Sequence, residues 1–249
     1  MPKVLQSTEM GGTTSQRKHL NCIKNLCRKM IFVENRRKKI ERIKNDYPNA
    51  EILDITSKSE SKYAQLLSPF YPHGNIPIPF SPGYTAKSVE GIWQGLKVFE
   101  GVGIDMSSFQ NDTMSGLKRT VRKYGKPLGH QKGILSTELL NYFDARMKIY
   151  IPSYLWVLEN IESVKSIIYK IKERSKSNDI VFLDYNTNID FRDISSPLSH
   201  AGLVKLYIEG EYPKAYIEYS PLSKEDMGSI SNNKNINKSS NNPRQLNLF

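Results

Sequence analysis

The chain has 249 residues, 38% of them hydrophobic and 24% charged, with a formal net charge of +11. That length and balance suit one sizeable globular core with appended ends. No apolar run approaches the roughly 20 residues of a membrane span, and the first residues lack the apolar centre of a signal peptide. The two cysteines, Cys22 and Cys27, are spaced for neither a redox CxxC nor a zinc site. The expectation is a soluble cytoplasmic protein with reduced thiols, no metal and no cofactor.

Residues 1 to 15 carry no periodic pattern, and Gln16 to Met30 has the spacing of a basic helix, so 1–30 is expected as a basic N-terminal extension. Between Arg17 and Lys44 there are eleven Lys or Arg against Glu34 and Glu41. Ile31 to Val33 reads as a strand, Glu34 to Asn45 as a charged helix and Glu51 to Ile55 as a second strand. That strand, helix, strand unit favours an α/β or α+β domain.

From Leu67 to Gly83 prolines fall at 69, 72, 77, 79 and 82, too densely for a helix. The segment is expected as an ordered extended loop whose aromatics Phe70, Tyr71 and Phe80 either wall a planar base or pin the loop to the core. A helix follows, with Thr85 as cap and Val89, Ile92, Trp93, Leu96 and Phe99 as its buried stripe. On its other face Glu90, Gln94 and Lys97 lie one turn apart, beside Gly91 and Gly95, which leave room for a ligand. That face is either a site or a solvated salt-bridge surface.

A second basic run, 117 to 132, holds Lys118, Arg119, Arg122, Lys123, Lys126 and Lys132 with no acid. Thr113 to Tyr124 is expected as a helix there, and Gly125 to His130 as a loop with cations and backbone amides for phosphate. The first five of these cations are candidate nucleic-acid contacts, since such clusters release counterions from a polyanion; solvated faces are the alternative. Glu138 to Tyr150 reads as a helix bearing Arg146, a structural partner for an acid or a pyrophosphate clamp. Pro152 interrupts it, Tyr154 to Asn160 resumes it, and Ser163 to Ser175 forms another. Ile180 to Leu183 is a strand running into Asp184, Asn186 and Asp190, a common site position just past a strand end or else an Asx-turn loop. A last helix is expected from Ser196 and Pro197 to Gly210, with His200 near its start as a structural histidine or a substrate contact.

From Ser223 the composition turns to Ser, Asn and Lys, with seven Asn between Asn232 and Asn247, which predicts a disordered tail. The expected organisation is therefore an α+β fold, mostly helical with a small sheet, over 31–222, with the extension 1–30 and the tail 223–249.

Two stretches carry resemblances. Ser68, Pro69, Val89, Glu90, Trp93, Gln94, Lys97 and Phe99 match the core pattern of the NADAR family of N-glycosidases, which remove ADP-ribose or ribose from nitrogen. The likeness continues more weakly from Asp184 to Leu206, and Gly91 stands where that family usually has His, which marks a divergent branch. The terminal Gln245, Leu246, Asn247, Leu248 and Phe249 resemble the QLxLF peptide with which bacterial and phage DNA-processing proteins dock on the sliding clamp. In that peptide Leu246, Leu248 and Phe249 would be apolar anchors and Gln245 a rim contact.

The resemblances imply an N-glycosidase acting on an ADP-ribosyl or related ribosyl adduct of a nucleobase, with ADP-ribosylated guanine in DNA as the favoured substrate and the clamp as partner. Glu90 would stabilise the cationic sugar, with Asp190 or Asp184 as second acid. Trp93, Gln94, Lys97, Tyr71, Phe80, Arg146, Asp184, Asn186 and His200 would contact substrate. A phosphoribosyl-pyrimidine metabolite is the alternative substrate, and a non-catalytic clamp- and DNA-binding accessory protein the alternative class.

Overall fold

The computed structural model describes residues 30–214. In chain order its elements are β1 (Ile31–Asn35), α1 (Ile40–Asp46), β2 (Glu51–Asp54), α2 (Lys62–Gln65), β3 (Ile76–Pro77), β4 (Thr85–Ala86), α3 (Val89–Gly95), β5 (Lys97–Val98), α4 (Met106–Phe109) and α5 (Val121–Tyr124). Then come β6 (Gly129–Gln131), β7 (Leu139–Leu140), α6 (Tyr142–Ala145), a π-helical turn (Arg146–Tyr150), α7 (Ile151–Asn160), α8 (Glu162–Arg174), β8 (Ile180–Asp184) and α9 (His200–Glu209). The fold is α+β, with small sheets among many helices. Among the described residues no helix is long and apolar enough to cross a membrane.

The main sheet has the order β1-β8-β2, and both pairings are parallel, with Ile31 and Glu51 each level with Ile180. The strand, helix, strand unit read from the sequence thus exists, but its two strands are not neighbours. β8 lies between them because Ile180, Val181, Phe182 and Leu183 are buried on both faces, the property that suits a central parallel strand. One face packs on the main core through Phe182 and Ile180, and the other forms a small cluster with Ile43 and Tyr47 beside Val181. The three strands end together at Asn35, Asp54 and Asp184.

Several local expectations are corrected. α3 is capped by Ser88, whose Oγ accepts from the Gly91 amide at 3.0 Å; Thr85 is instead paired with Pro77 in a short hairpin. The helix stops at Gly95, because Lys97 and Val98 turn into a sheet with β6 and β7. The basic helix shrinks to Val121–Tyr124, since Asn111 Oδ1 accepts from the Thr113 amide at 3.0 Å and Met114 and Gly116 have φ of 57° and 72°. Of the loop expected over Gly125 to His130, Gly129 and His130 are strand.

Leu139 and Leu140 are strand as well, so the next helix begins after Asn141, whose Oδ1 caps the Asp144 amide at 2.9 Å. Pro152 does not interrupt it. A proline lacks the N–H of an α-helical bond and crowds the preceding turn, and here the π-helical turn lies just ahead of it, so the chain stays helical from Tyr142 to Asn160. The last helix begins at His200, not Ser196, with Ser199 Oγ accepting from the Gly202 amide at 3.0 Å and Gly210 ending it at φ 79°.

Candidate functional site

A cavity of about 400 Å³ opens beyond the carboxyl ends of the parallel strands, the place where open parallel sheets present ligands. Thr56 and Ser57 after β2, and Asp184, Tyr185 and Asn186 at the end of β8, form one side. Glu90, Trp93, Gln94 and Lys97 from α3 and β5 form another. Ser68, Pro69 and Phe70 reach it because the Glu90 amide donates to the Pro69 carbonyl at 2.8 Å, tying the proline-rich loop to the first turn of α3. Six of the eight residues that carry the NADAR resemblance, Ser68, Pro69, Glu90, Trp93, Gln94 and Lys97, therefore meet at one cavity, while Val89 and Phe99 are core.

Glu90 is 7% exposed and Gln94 5%, so this face of α3 is not a solvated salt-bridge surface. The orientation of the Gln94 amide follows from its neighbours. Its Oε1 receives the Arg119 backbone N–H at 3.0 Å and Lys97 Nζ at 3.0 Å, both obligate donors. Its Nε2 must then donate to Glu90 Oε1, at 2.8 Å. Burial raises the Glu90 pKa above the ordinary carboxylate range, with the Gln94 bond and the charges of Lys118 and Lys97 opposing. Burial lowers the Lys97 ammonium pKa, with Glu90 opposing. The buried acid and the half-buried amine are thus both shifted toward neutral pH.

Gly91 and Gly95 do not open the helix to a ligand. A Cβ on Gly91 would lie 2.6 Å from the Ser108 carbonyl oxygen, and one on Gly95 2.2 Å from the Phe109 ring. The glycines let α4 pack against α3, and the same contact excludes a histidine from position 91.

Asp184 and His200 belong to the cavity wall as a coupled pair. His200 Nδ1 is 2.9 Å from Asp184 Oδ2 and its Nε2 is 3.0 Å from the Ile55 carbonyl. Asp184 also accepts from the Tyr185 amide at 2.6 Å and from Ser199 Oγ at 2.7 Å. Burial alone would raise the Asp184 pKa, but the charge of His200 and these donors hold it below the ordinary value. Burial likewise opposes a charged His200, and Asp184 outweighs it, so the His200 pKa is raised. With a carbonyl and a carboxylate facing its two nitrogens, His200 carries both protons. Asp184 is held by this pair and is not free to act as a base.

The remaining candidates divide. Asn186 lines the cavity, and so does Trp93, whose ring stacks on His130 at 3.8 Å between centroids. His130 is buried, and its pKa is lowered to about 3 by burial and by Lys97, so it backs the tryptophan as a neutral ring and is no phosphate ligand. Arg146 also lines the cavity but grips the carbonyls of Phe191, Asp193 and Ser196 at 3.1, 2.6 and 2.8 Å. Among the described residues it pairs with no acid, and it has little left for a pyrophosphate.

Asp190 is exposed, absent from the cavity lining, and bonded to its own loop through the Arg192 amide at 2.9 Å; Asx-turn geometry turns it outward. Tyr71 packs on His73 at 4.8 Å and Phe80 lies beneath Lys132, and neither lines the cavity. Phe70 is the loop aromatic that does. Arg119 is buried, its guanidinium spread over the carbonyls of Gln94, Lys97 and Gly103, so it is structural, whereas Lys118, Arg122, Lys123 and Lys126 are exposed. Tyr150 and Thr56 are cavity residues that sequence reasoning missed, and only the strand end before Thr56 signalled either; Tyr185 stands in the polar run past the end of β8 and lines the cavity with its neighbours. The terminal peptide with Gln245, Leu246, Leu248 and Phe249, the basic helix of 16–30 and the tail lie outside the described residues. Among those residues no cluster of His, Cys, Asp and Glu could hold a metal ion.

A family model described as a family of unknown function (DUF6939) matches residues 35–204, more than half of the chain and nearly all of the elements that build the cavity. No curated protein and no solved structure matches it.

Proposed function

The chain belongs to the DUF6939 family, and we propose that this member is an N-glycosidase that hydrolyses an ADP-ribosyl or related ribosyl adduct from a nucleobase, with ADP-ribosylated guanine in DNA as the substrate. The observation that carries the reading is Glu90, a buried carboxylate in a cavity at the strand ends, held on one oxygen by Gln94 and standing beside Lys97. As the bond from C1′ to nitrogen breaks, its electron pair leaves with the base and the sugar becomes cationic. A fixed carboxylate stabilises that cation and takes a proton from the incoming water, whose oxygen bonds to C1′. The departing nitrogen gains the proton, so the sum is water plus adduct giving free sugar and free base. A raised Glu90 pKa suits a group that must both accept and return a proton near neutral pH.

Lys97 sits where it can favour the leaving base or a phosphate. The exposed cations Lys118, Arg122, Lys123 and Lys126 lie on the segment that contributes Thr120 and Val121 to the cavity, which supports a polyanionic substrate. The clamp-like terminal peptide would concentrate the enzyme at replicating DNA through its tether.

The test is incubation of wild type and Glu90→Gln with ADP-ribosylated DNA and, separately, with small phosphoribosyl-amino pyrimidines. Glu90-dependent release from DNA is the expected result. Turnover of the small compounds alone would replace the substrate, and no Glu90-dependent product from either would leave a binding protein.

A further inference from the structure

We infer that Tyr150 is a further substrate-contacting group of this cavity, its phenol donating a hydrogen bond to the nucleobase that leaves. The inference rests on the N-glycosidase reading and gives it the partner that Asp190, turned to solvent, and Asp184, bound to His200, do not supply.

Three observations support it. First, Tyr150 ends the π-helical turn Arg146–Tyr150. An α-helix of 3.6 residues per turn drifts round its axis with every four-residue step; one wider turn offsets that drift. Tyr142, Arg146 and Tyr150 all line the cavity as a result. Single π turns recur at functional sites for this kind of re-aiming.

Second, the Tyr150 hydroxyl bonds no group among the described residues, although its neighbours on the same helix are committed. The Tyr142 hydroxyl accepts from Arg146 at 3.3 Å, the guanidinium of Arg146 holds the 191–196 loop, and the Tyr154 hydroxyl donates to the Leu67 carbonyl. A largely enclosed phenol ordinarily has a partner, and a ligand in the cavity would be one. Third, its ring meets Trp93 edge-on, at 5.5 Å between centroids and 73° between planes. Tyr150 thus stands beside Trp93, itself a lining residue of the cavity. Burial, and then the charge of Glu90, hold its pKa well above the ordinary phenol value, so the group keeps its proton and acts as a donor.

The chemistry is a hydrogen bond and not a proton transfer. As the bond from C1′ to nitrogen breaks, the electron pair accumulates on the base, and a fixed donor at the base edge stabilises that charge more than it stabilises the intact adduct. Water still supplies the hydroxyl that bonds C1′, and Glu90 still handles the proton.

The experiment compares Tyr150→Phe with wild type and with Tyr154→Phe on two substrates, an ADP-ribosylated guanine oligonucleotide and a pyridinium riboside whose base departs neutral. For Tyr150→Phe we expect an unchanged melting point and a fall in kcat on the guanine adduct of about 10- to 100-fold with little change in KM. The pyridinium substrate should lose much less. Tyr154→Phe should lower the melting point instead, because the Leu67 carbonyl loses its donor. Unchanged kcat, or equal losses on both substrates, would overturn the donor role and leave the glycosidase standing. If wild type cleaves neither substrate, the glycosidase reading fails by itself. Calorimetry with free guanine then decides the contact, with a 3- to 10-fold weaker affinity of about that order in Tyr150→Phe supporting it and equal or absent binding refuting it.

Discussion

Asp184 Oδ2 and the Ile55 carbonyl oxygen face opposite nitrogens of the His200 ring, at 2.9 and 3.0 Å. Both are acceptors, so the ring must donate twice and the pair is an imidazolium and a carboxylate. The His200 pKa is raised, so its contribution to stability is complete below the ordinary histidine value of about 6.5 and is lost as pH rises through the higher folded value. The Asp184 pKa is lowered, so its contribution is present above the ordinary value of about 3.9 and is lost as pH falls through the lower folded value. Melting points measured across pH should form a plateau between these limits, and the His200 ring resonances should titrate above about 6.5. A midpoint below that would contradict the ion pair.

Gln94→Leu removes the donor that holds the Glu90 pKa down. The Glu90 pKa should rise further, and the acid limb of the pH–rate profile should move to higher pH with it. The same change strands Lys97 Nζ and the Arg119 amide, so stability should fall by about 1–3 kcal/mol in denaturant titrations. An acid limb that stays in place would mean that the amide does not tune the carboxylate.

The two glycines of α3 are predicted to be intolerant for steric reasons. Gly95→Ala puts a methyl group into the Phe109 ring and Gly91→Ala puts one against the Ser108 carbonyl, and each should cost about 1–3 kcal/mol by overpacking. Thermal melting of the two variants is the check, and wild-type melting points would show that α4 can move aside.

Neighbouring cations should behave differently. Lys123→Ala should weaken binding to any DNA sequence and reduce the slope of log affinity against log salt by about one. Arg119→Ala should chiefly lower the melting point, because three carbonyls lose their donors. Fluorescence anisotropy at several salt concentrations, set beside melting curves, separates the two effects.

Deleting Gln245 to Phe249 should abolish co-migration with a sliding clamp in gel filtration and leave turnover of a short oligonucleotide intact. Unchanged co-migration would refute the terminal peptide as a clamp address.

Sequence pattern alone placed strands at 31–33, 51–55 and 180–183 and a helix at 163–175, within two residues of the observed 31–35, 51–54, 180–184 and 162–174, because apolar spacing is a local signal that tertiary contacts reinforce here; helical spacing and the family resemblance together singled out Glu90. They also marked Trp93, Gln94, Lys97, Asp184 and Asn186, whose spacing follows a helix face and a strand end. Only the tertiary structure decided which of two nearby acids enters the cavity. Asp184 ends a buried strand and Asp190 closes its own turn, and nothing in their composition distinguishes them. The roles of Arg119 and Arg146 were likewise invisible, since a guanidinium looks the same in sequence whether phosphates or buried carbonyls receive its protons. Tyr150 was hidden for a third reason: a π-helical turn changes which way a side chain points without leaving a mark in the spacing of apolar residues.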